Sequence, residues 1–189
     1  MQKHHYVARE SALSHFFFSN TKSAWIWLVI RLYVGWEWLV AGWNKVGAPA
    51  WTGDQAGAAV TGFVRGALEK TGGAHPDVQG WYASFLEQIV LPNASAWAHA
   101  VAWGEVFVGI GLIIGAFVGV AAFFGLFMNL NYLLAGTVST NPILFTLSIG
   151  LILAWKVAGY LGADRFILPR ISTMALGAPP REDGARNDG

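Results

Sequence analysis

Glu105 stands inside an apolar stretch where an acid is out of place. Between His99 and Tyr160 the only ionisable side chains other than tyrosine are Glu105 and Lys156. An acid at the centre of an apolar helix costs on the order of 2.5–3.5 kcal/mol to insert into a bilayer, so a partner or a ligand is expected to use it. Arg31 and Glu37 interrupt an earlier apolar run in the same way, and Asn129 and Asn131 place amides in a third. Carboxyl groups can relay protons, and amides and cations can hydrogen-bond carbonyl oxygens. Together these types suit a quinone headgroup, whose carbonyls accept hydrogen bonds and whose reduction consumes protons. The plainer alternative is that Arg31 pairs with Glu37 or Glu105 only to satisfy it, and that the asparagines only bond neighbouring helices. Trp36 and Trp38 are read either as packing or as stacking platforms. Lys156 lies close enough to an interface to snorkel. His75 and His99 have no further ligands at metal-binding spacing, so no metal site is expected.

Composition narrows the field. The chain has 189 residues, 54% hydrophobic and only 12% charged, against about 25% charged in soluble domains. A net charge of +1 and the lack of a basic stripe exclude a typical nucleic-acid binder. There is no cysteine, which removes disulfides, thiol catalysis, cysteine-held iron–sulfur clusters and covalent haem attachment. No flavin or haem motif is present. Redox chemistry would therefore depend on a ligand, a bound cofactor or a partner chain.

These polar residues must be positioned by helices. The sequence predicts an all-α, polytopic membrane protein: a four-helix transmembrane bundle with helices at about 23–44, 97–118, 119–138 and 142–161. Residues 1–22 read as a polar leader without the apolar core of a signal peptide. Residues 45–96 form a long extracytoplasmic connection. Within it Thr52-Gly53-Asp54-Gln55 fits a capping box, and Val60, Phe63, Val64, Ala67 and Leu68 recur at helical spacing up to Gly72-Gly73. Pro76 opens a second amphipathic segment carrying Val78, Trp81, Tyr82, Phe85, Leu86, Ile89 and Val90, and Pro92 closes it. Both are too short to span and are expected on the membrane surface or over the bundle end, as a packing cap or as a lid. Gly111, Gly115 and Gly119 make small-xxx-small steps for close helix approach. Residues 171–189, rich in Gly, Pro and charge, are expected to be a disordered tail.

Residue counts place the polar groups in depth. At 1.5 Å per residue Glu37 lies roughly 10 Å below the loop-side end of its helix, Glu105 roughly 12 Å, and Asn129 and Asn131 roughly 8–10 Å. Arg31, roughly 20 Å down, would have to reach up to join them. Arg31, Gly35, Trp38, Gly42 and Lys45 share one helix face. Trp25, Trp27, Trp43, Trp51, Trp81 and Trp97 fall near helix ends, as an aromatic belt would. Lys3, Arg9, Lys22, Arg165, Arg170, Arg181 and Arg186 sit in the leader and the tail, so the positive-inside rule puts both termini in the cytoplasm. The expected location is the cell (inner) membrane of a bacterium or archaeon.

Several runs carry a family resemblance: Gly104-Glu105 through Gly115, Met128 to Gly136 (MNLNYLLAG), Ser139-Thr140-Asn141-Pro142, and Ala154 to Arg165 (AWKVAGYLGADR). With Arg31 to Lys45 they resemble the DoxX/DoxD family over about residues 24–170. The resemblance implies four membrane helices. In its DoxD form it implies the large subunit of a thiosulfate:quinone oxidoreductase, which oxidises thiosulfate to tetrathionate outside the cell, passes electrons to membrane quinone and works with a separate small subunit, DoxA. On that reading Glu105, Arg31 and Glu37 are the catalytic candidates, and Asn129, Asn131, Trp38 and Lys45 the substrate- or quinone-binding ones. Thiosulfate is a dianion, for which Arg31, Lys45 and Arg65 are the available cations. The expected partners are membrane lipid, quinone, a small DoxA-like subunit and a second copy of the chain, with no nucleic acid. A reading of a different class is a non-catalytic DoxX-type scaffold that anchors soluble redox or oxidative-stress proteins.

Overall fold

Long apolar segments without internal proline propagate as helices, and here they alternate in direction. The computed structural model describes residues 10–176. In chain order its α-helices are α1 (Ala12–Ser19), α2 (Ala24–Val46), α3 (Pro49–Thr52), α4 (Ala58–Leu68), α5 (Gly80–Phe85), α6 (Ala94–Ile114), α7 (Val118–Leu134), α8 (Asn141–Leu153), α9 (Trp155–Ala158) and α10 (Asp164–Leu176). Helices α2, α6, α7 and α8 form an antiparallel bundle. At one end, the loop end, α3, α4 and α5 cover it. At the other, the terminal end, lie α1, α9 and the start of α10.

The outward faces of the bundle are apolar. Val29 and Trp36 on α2, Phe107 and Ile114 on α6, Phe123 and Phe127 on α7, and Ile143 and Leu153 on α8 are all exposed. Water-soluble chains rarely expose a contiguous apolar surface of more than a few hundred Å²; a belt around the whole bundle is suited to acyl chains. Residues Thr21–Val46 and Gly80–Ile114 are each long and apolar enough to cross a membrane, and α7 and α8 are shorter apolar helices. The exposed Trp25 and Trp43, 67% and 68% accessible, stand about 27 Å apart along α2, close to the roughly 30 Å of a bilayer core. The architecture is that of an all-α membrane protein. Trp27, expected in the aromatic belt, is instead buried, its Nε1 donating to Phe17 O at 2.7 Å.

Glycine sets how closely α2 and α6 pack. A Cβ on Gly42 would lie 2.6 Å from Val106 N, and one on Gly109 would lie 2.6 Å from Leu39 N. The two backbones therefore touch where Glu105 faces α2. Gly109 was no part of the small-residue stripe read from the sequence. Of that stripe, Gly111 faces Ala121 and Gly119 faces Trp155, while Gly115 at φ +71° ends α6 as a left-handed cap. The second apolar helix thus stops at Ile114, four residues short of its expected end. Gly42→Val is expected to push α2 off α6 and to destabilise the detergent-solubilised protein by about 2 kcal/mol, read as a shift in its denaturant midpoint. Gly62→Ala, with open space at its Cβ, should shift it little.

Several local expectations are corrected. The capping box at Thr52 does not form: Thr52 Oγ1 donates to Val46 O, and α4 starts instead from Gly57 at φ +99°. Pro92 does not close the second loop segment. It sits in the first turn of a 3-10 stretch, Leu91–Asn93, where a missing N–H costs nothing, and the chain runs from α5 through a π-helical turn, Leu86–Val90, into α6. The fourth apolar helix is broken at Ala154, whose carbonyl accepts from both Val157 N and Ala158 N. The leader, read as merely polar, contains α1, capped by Ser11 and carrying Phe17 and Phe18 onto the core. Residues 171–176 continue α10 rather than forming a tail; the remainder of the predicted disordered tail, 177–189, and residues 1–9 lie outside the described residues.

Candidate functional site

The loop end carries a cavity of about 410 Å³. The residues that build it come from every nearby element. On α2, Glu37, Trp38, Ala41 and Lys45 recur at helical spacing and form one wall. Glu105 from α6 faces them, brought close by the Gly42 contact. Asn131 and Tyr132 come from α7, and Ser139, Thr140 and Asn141 from the α7–α8 turn form a polar rim. The roof is aromatic and aliphatic, with Trp51, Phe63, Tyr82, Phe85 and Trp97. The two amphipathic loop segments meet there: Val60, Val64 and Ala67 pack with Val78, Tyr82, Leu86 and Val90 in a second core. They cap the bundle end rather than lying flat on the membrane, and the cavity lies under that cap.

At the centre is Glu105, 1% exposed. Lys45 Nζ donates to its Oε2 at 2.6 Å and Tyr132 OH donates to its Oε1 at 2.6 Å. Both carboxylate oxygens are thus held, and the ammonium offsets the buried charge at its source. Lys45 is also 5.2 Å from the Trp51 ring centroid, where a cation gains from the π face. Tyr132 is fixed in turn by Trp38 and Phe63, with ring centroids 6.5 and 6.0 Å away. Tyr82 OH donates to Asn131 O and Oδ1 at 3.0 and 3.1 Å, tying the roof to α7. Glu37 is half-buried on the cavity wall and has no hydrogen bond or ion pair among the described residues.

Five of the seven residues singled out from the sequence meet here: Glu37, Trp38, Lys45, Glu105 and Asn131. Two do not. Asn129 is fully buried with its amide unpartnered among the described residues, and it is not part of the cavity wall. Two residues apart on a helix means about 200° of rotation, so Asn131 facing the cavity turns Asn129 into the bundle. Arg31 is at the other end altogether. Its Nη2 donates to Leu161 O at 3.2 Å, and its guanidinium is pressed against Gly115 and Gly162, where any Cβ would overlap it. It pairs with neither Glu37 nor Glu105. Arg31 lies about 10 Å from the start of α2 and about 22 Å from its end, so its side chain reaches the nearer, terminal end. There its electrostatic partner is Asp164, which accepts from Phe117 N and Val118 N at 2.6 and 2.9 Å.

Tyr132, Tyr82 and Asp164 were missed as functional or structural anchors. Tyr132 had a legible signal, a phenol three residues from Asn129 and at nearly the depth of Glu105. Asp164 had none, because its partners are backbone amides of a turn 46 residues away.

The DoxX family profile matches residues 26–137, which include most of α2 and all of the loop segments, α6 and α7. No curated protein and no solved structure matches the chain.

Proposed function

The chain belongs to the DoxX family, and from that premise we propose that it is the membrane subunit of an oxidoreductase that passes electrons to quinone, with thiosulfate as donor and tetrathionate as product. The observation that carries this reading is the loop-end cavity: ligand-sized, walled by aromatic rings, with Lys45, Tyr132 and Glu105 forming one hydrogen-bonded array on its side. A flat ring with two carbonyls fits such a lining. The Lys45 ammonium, held in place by Glu105, has N–H groups to spare for a carbonyl, and Glu37, a carboxyl on the same wall with no partner among the described residues, is placed to pass a proton.

The electron count closes. Joining two thiosulfates through a new S–S bond releases two electrons, and a quinone takes up two electrons and two protons to become quinol. With no cysteine, the sulfur is not carried as a persulfide on this chain, and a small DoxA-like subunit supplies the missing part. In this reading the loop end faces out of the cell, because Lys22, Arg165 and Arg170 gather at the terminal end.

The test is thiosulfate-dependent reduction of a soluble quinone analogue by membranes containing the chain, with and without a DoxA-like partner. Turnover with the partner that disappears in a Glu105→Gln variant of unchanged elution profile is the expected result. Absence of turnover with the partner present would sink the proposal and leave the chain as a scaffold for soluble redox proteins.

A further inference from the structure

We infer that the loop-end cavity excludes anions and admits an uncharged or cationic amphiphile with a flat apolar body, so that thiosulfate is handled outside it. The inference rests on the reading of this cavity as the ligand site, and it narrows what that site accepts. Three cations were available to a dianion from the sequence, and the structure withdraws each. Arg31 is buried at the terminal end. Arg65 is exposed on α4 and takes no part in the cavity wall. Lys45 does line the wall, but its ammonium is committed to Glu105 at 2.6 Å. Lys70 is turned away from the cavity, donating to Gly136 O at 2.8 Å, and Asp77 stands beside the same glycine; neither forms part of the wall.

The charged groups that do face the cavity are therefore Glu37, Glu105 and Lys45. Their sum is one negative charge, carried by Glu37. Of the neutral donors, Tyr132 binds Glu105 and Tyr82 binds Asn131, which leaves the uncharged hydroxyls of Thr137, Ser139 and Thr140 at the rim. A dianion entering here would lose its hydration to aromatic walls and meet a carboxylate without a counterion. A neutral ring loses little on entry, and a lipophilic cation gains from Glu37 and from the aromatic faces. An enzyme built this way keeps its anionic donor and its apolar acceptor in separate places.

Binding to the purified full-length chain in detergent, followed by tryptophan quenching, tests this with four probes: naphthoquinone, naphthoquinone sulfonate, tetraphenylphosphonium and thiosulfate. A unit charge about 10 Å from Glu37 at an effective dielectric of about 20 makes the sulfonate about tenfold weaker than its neutral parent. Glu37→Gln should narrow that gap, and thiosulfate should not compete with naphthoquinone. Sulfonate or thiosulfate binding as tightly as the neutral ring would overturn the inference, as would a gap unchanged in Glu37→Gln or no binding by any probe. If tetraphenylphosphonium binds and naphthoquinone does not, the selection by charge stands and the quinone reading fails.

Discussion

Lys45→Met destabilises the bundle by about 3–5 kcal/mol, and adding Glu105→Gln to the same chain restores most of the loss. The reason is the asymmetry of the pair. Glu105 is 1% exposed and the Lys45 side chain 21%. Removing the lysine strands a carboxylate that cannot reach water, and Tyr132 alone cannot compensate its charge. Removing the acid strands only a lysine at the mouth of a cavity, and its long stem lets the ammonium move toward solvent. Glu105→Gln alone is therefore expected to cost less than Lys45→Met alone, the reverse of what catalytic importance would suggest. Tyr132→Phe deletes one hydrogen bond to a charged acceptor and should cost about 1.5–3 kcal/mol. Denaturant titration of the four variants in one detergent checks the order. If Lys45→Met and Glu105→Gln cost the same, or the double variant is worse than either, the ion pair is not what holds α2 to α6 at this level.

The same pair shows what was legible in advance. The helices were, because runs of twenty apolar residues have few alternatives, and the depth count that put Glu37, Glu105 and Asn131 at one level needed only the rise per residue. Lys45 was legible as a member of the Arg31–Trp38 face. Its partner was not, because helix rotation and the Gly42–Gly109 contact decide which side chains meet, and neither is written in periodicity. Arg31 was grouped with the loop-end residues for a related reason: its depth along the helix was known, but the direction in which its side chain reaches was not. The loop was read as two separate amphipathic pieces because Pro92 looks like a stop; in the first turn of a helix it is a start. The left-handed cap at Gly115 is the case where a motif had two meanings. Small residues four apart serve close packing in one context and helix termination in another, and only the turn to α7 distinguishes them.

That turn is the second place where one side chain decides stability. Ala163 N and Asp164 N bond back to Ile114 O and Gly115 O, closing the end of α6. The Asp164 carboxylate accepts from Phe117 N and Val118 N, closing the start of α7. It supplies from a distant segment the capping that α7 lacks locally, since Phe117 offers no side-chain acceptor. The carboxylate at a helix N-terminus is also favoured by the helix dipole, and Arg31 lies close by with its guanidinium under Gly115. Asp164→Ala removes both acceptors, exposes two orphaned N–H groups and takes away the carboxylate charge that acts on the buried Arg31 from beyond ion-pair distance. The expected cost is about 3–5 kcal/mol. Asp164→Asn keeps one acceptor and the shape but not the charge, and should recover about half of that. Arg31→Met in the Asp164→Asn background removes the stranded charge and should be more stable than Asp164→Asn alone. Denaturant titration with limited proteolysis across the α6–α7 turn gives the readout. Equal stability of Asp164→Ala and Asp164→Asn would mean that the two backbone bonds contribute nothing. A further loss on adding Arg31→Met would mean that the guanidinium is held by Leu161 O and packing, and not by the aspartate. Because this junction lies at the opposite end from the cavity, any of these variants that still folds should bind cavity ligands as the parent does. That separates the residues that hold the bundle together from those that give it a site.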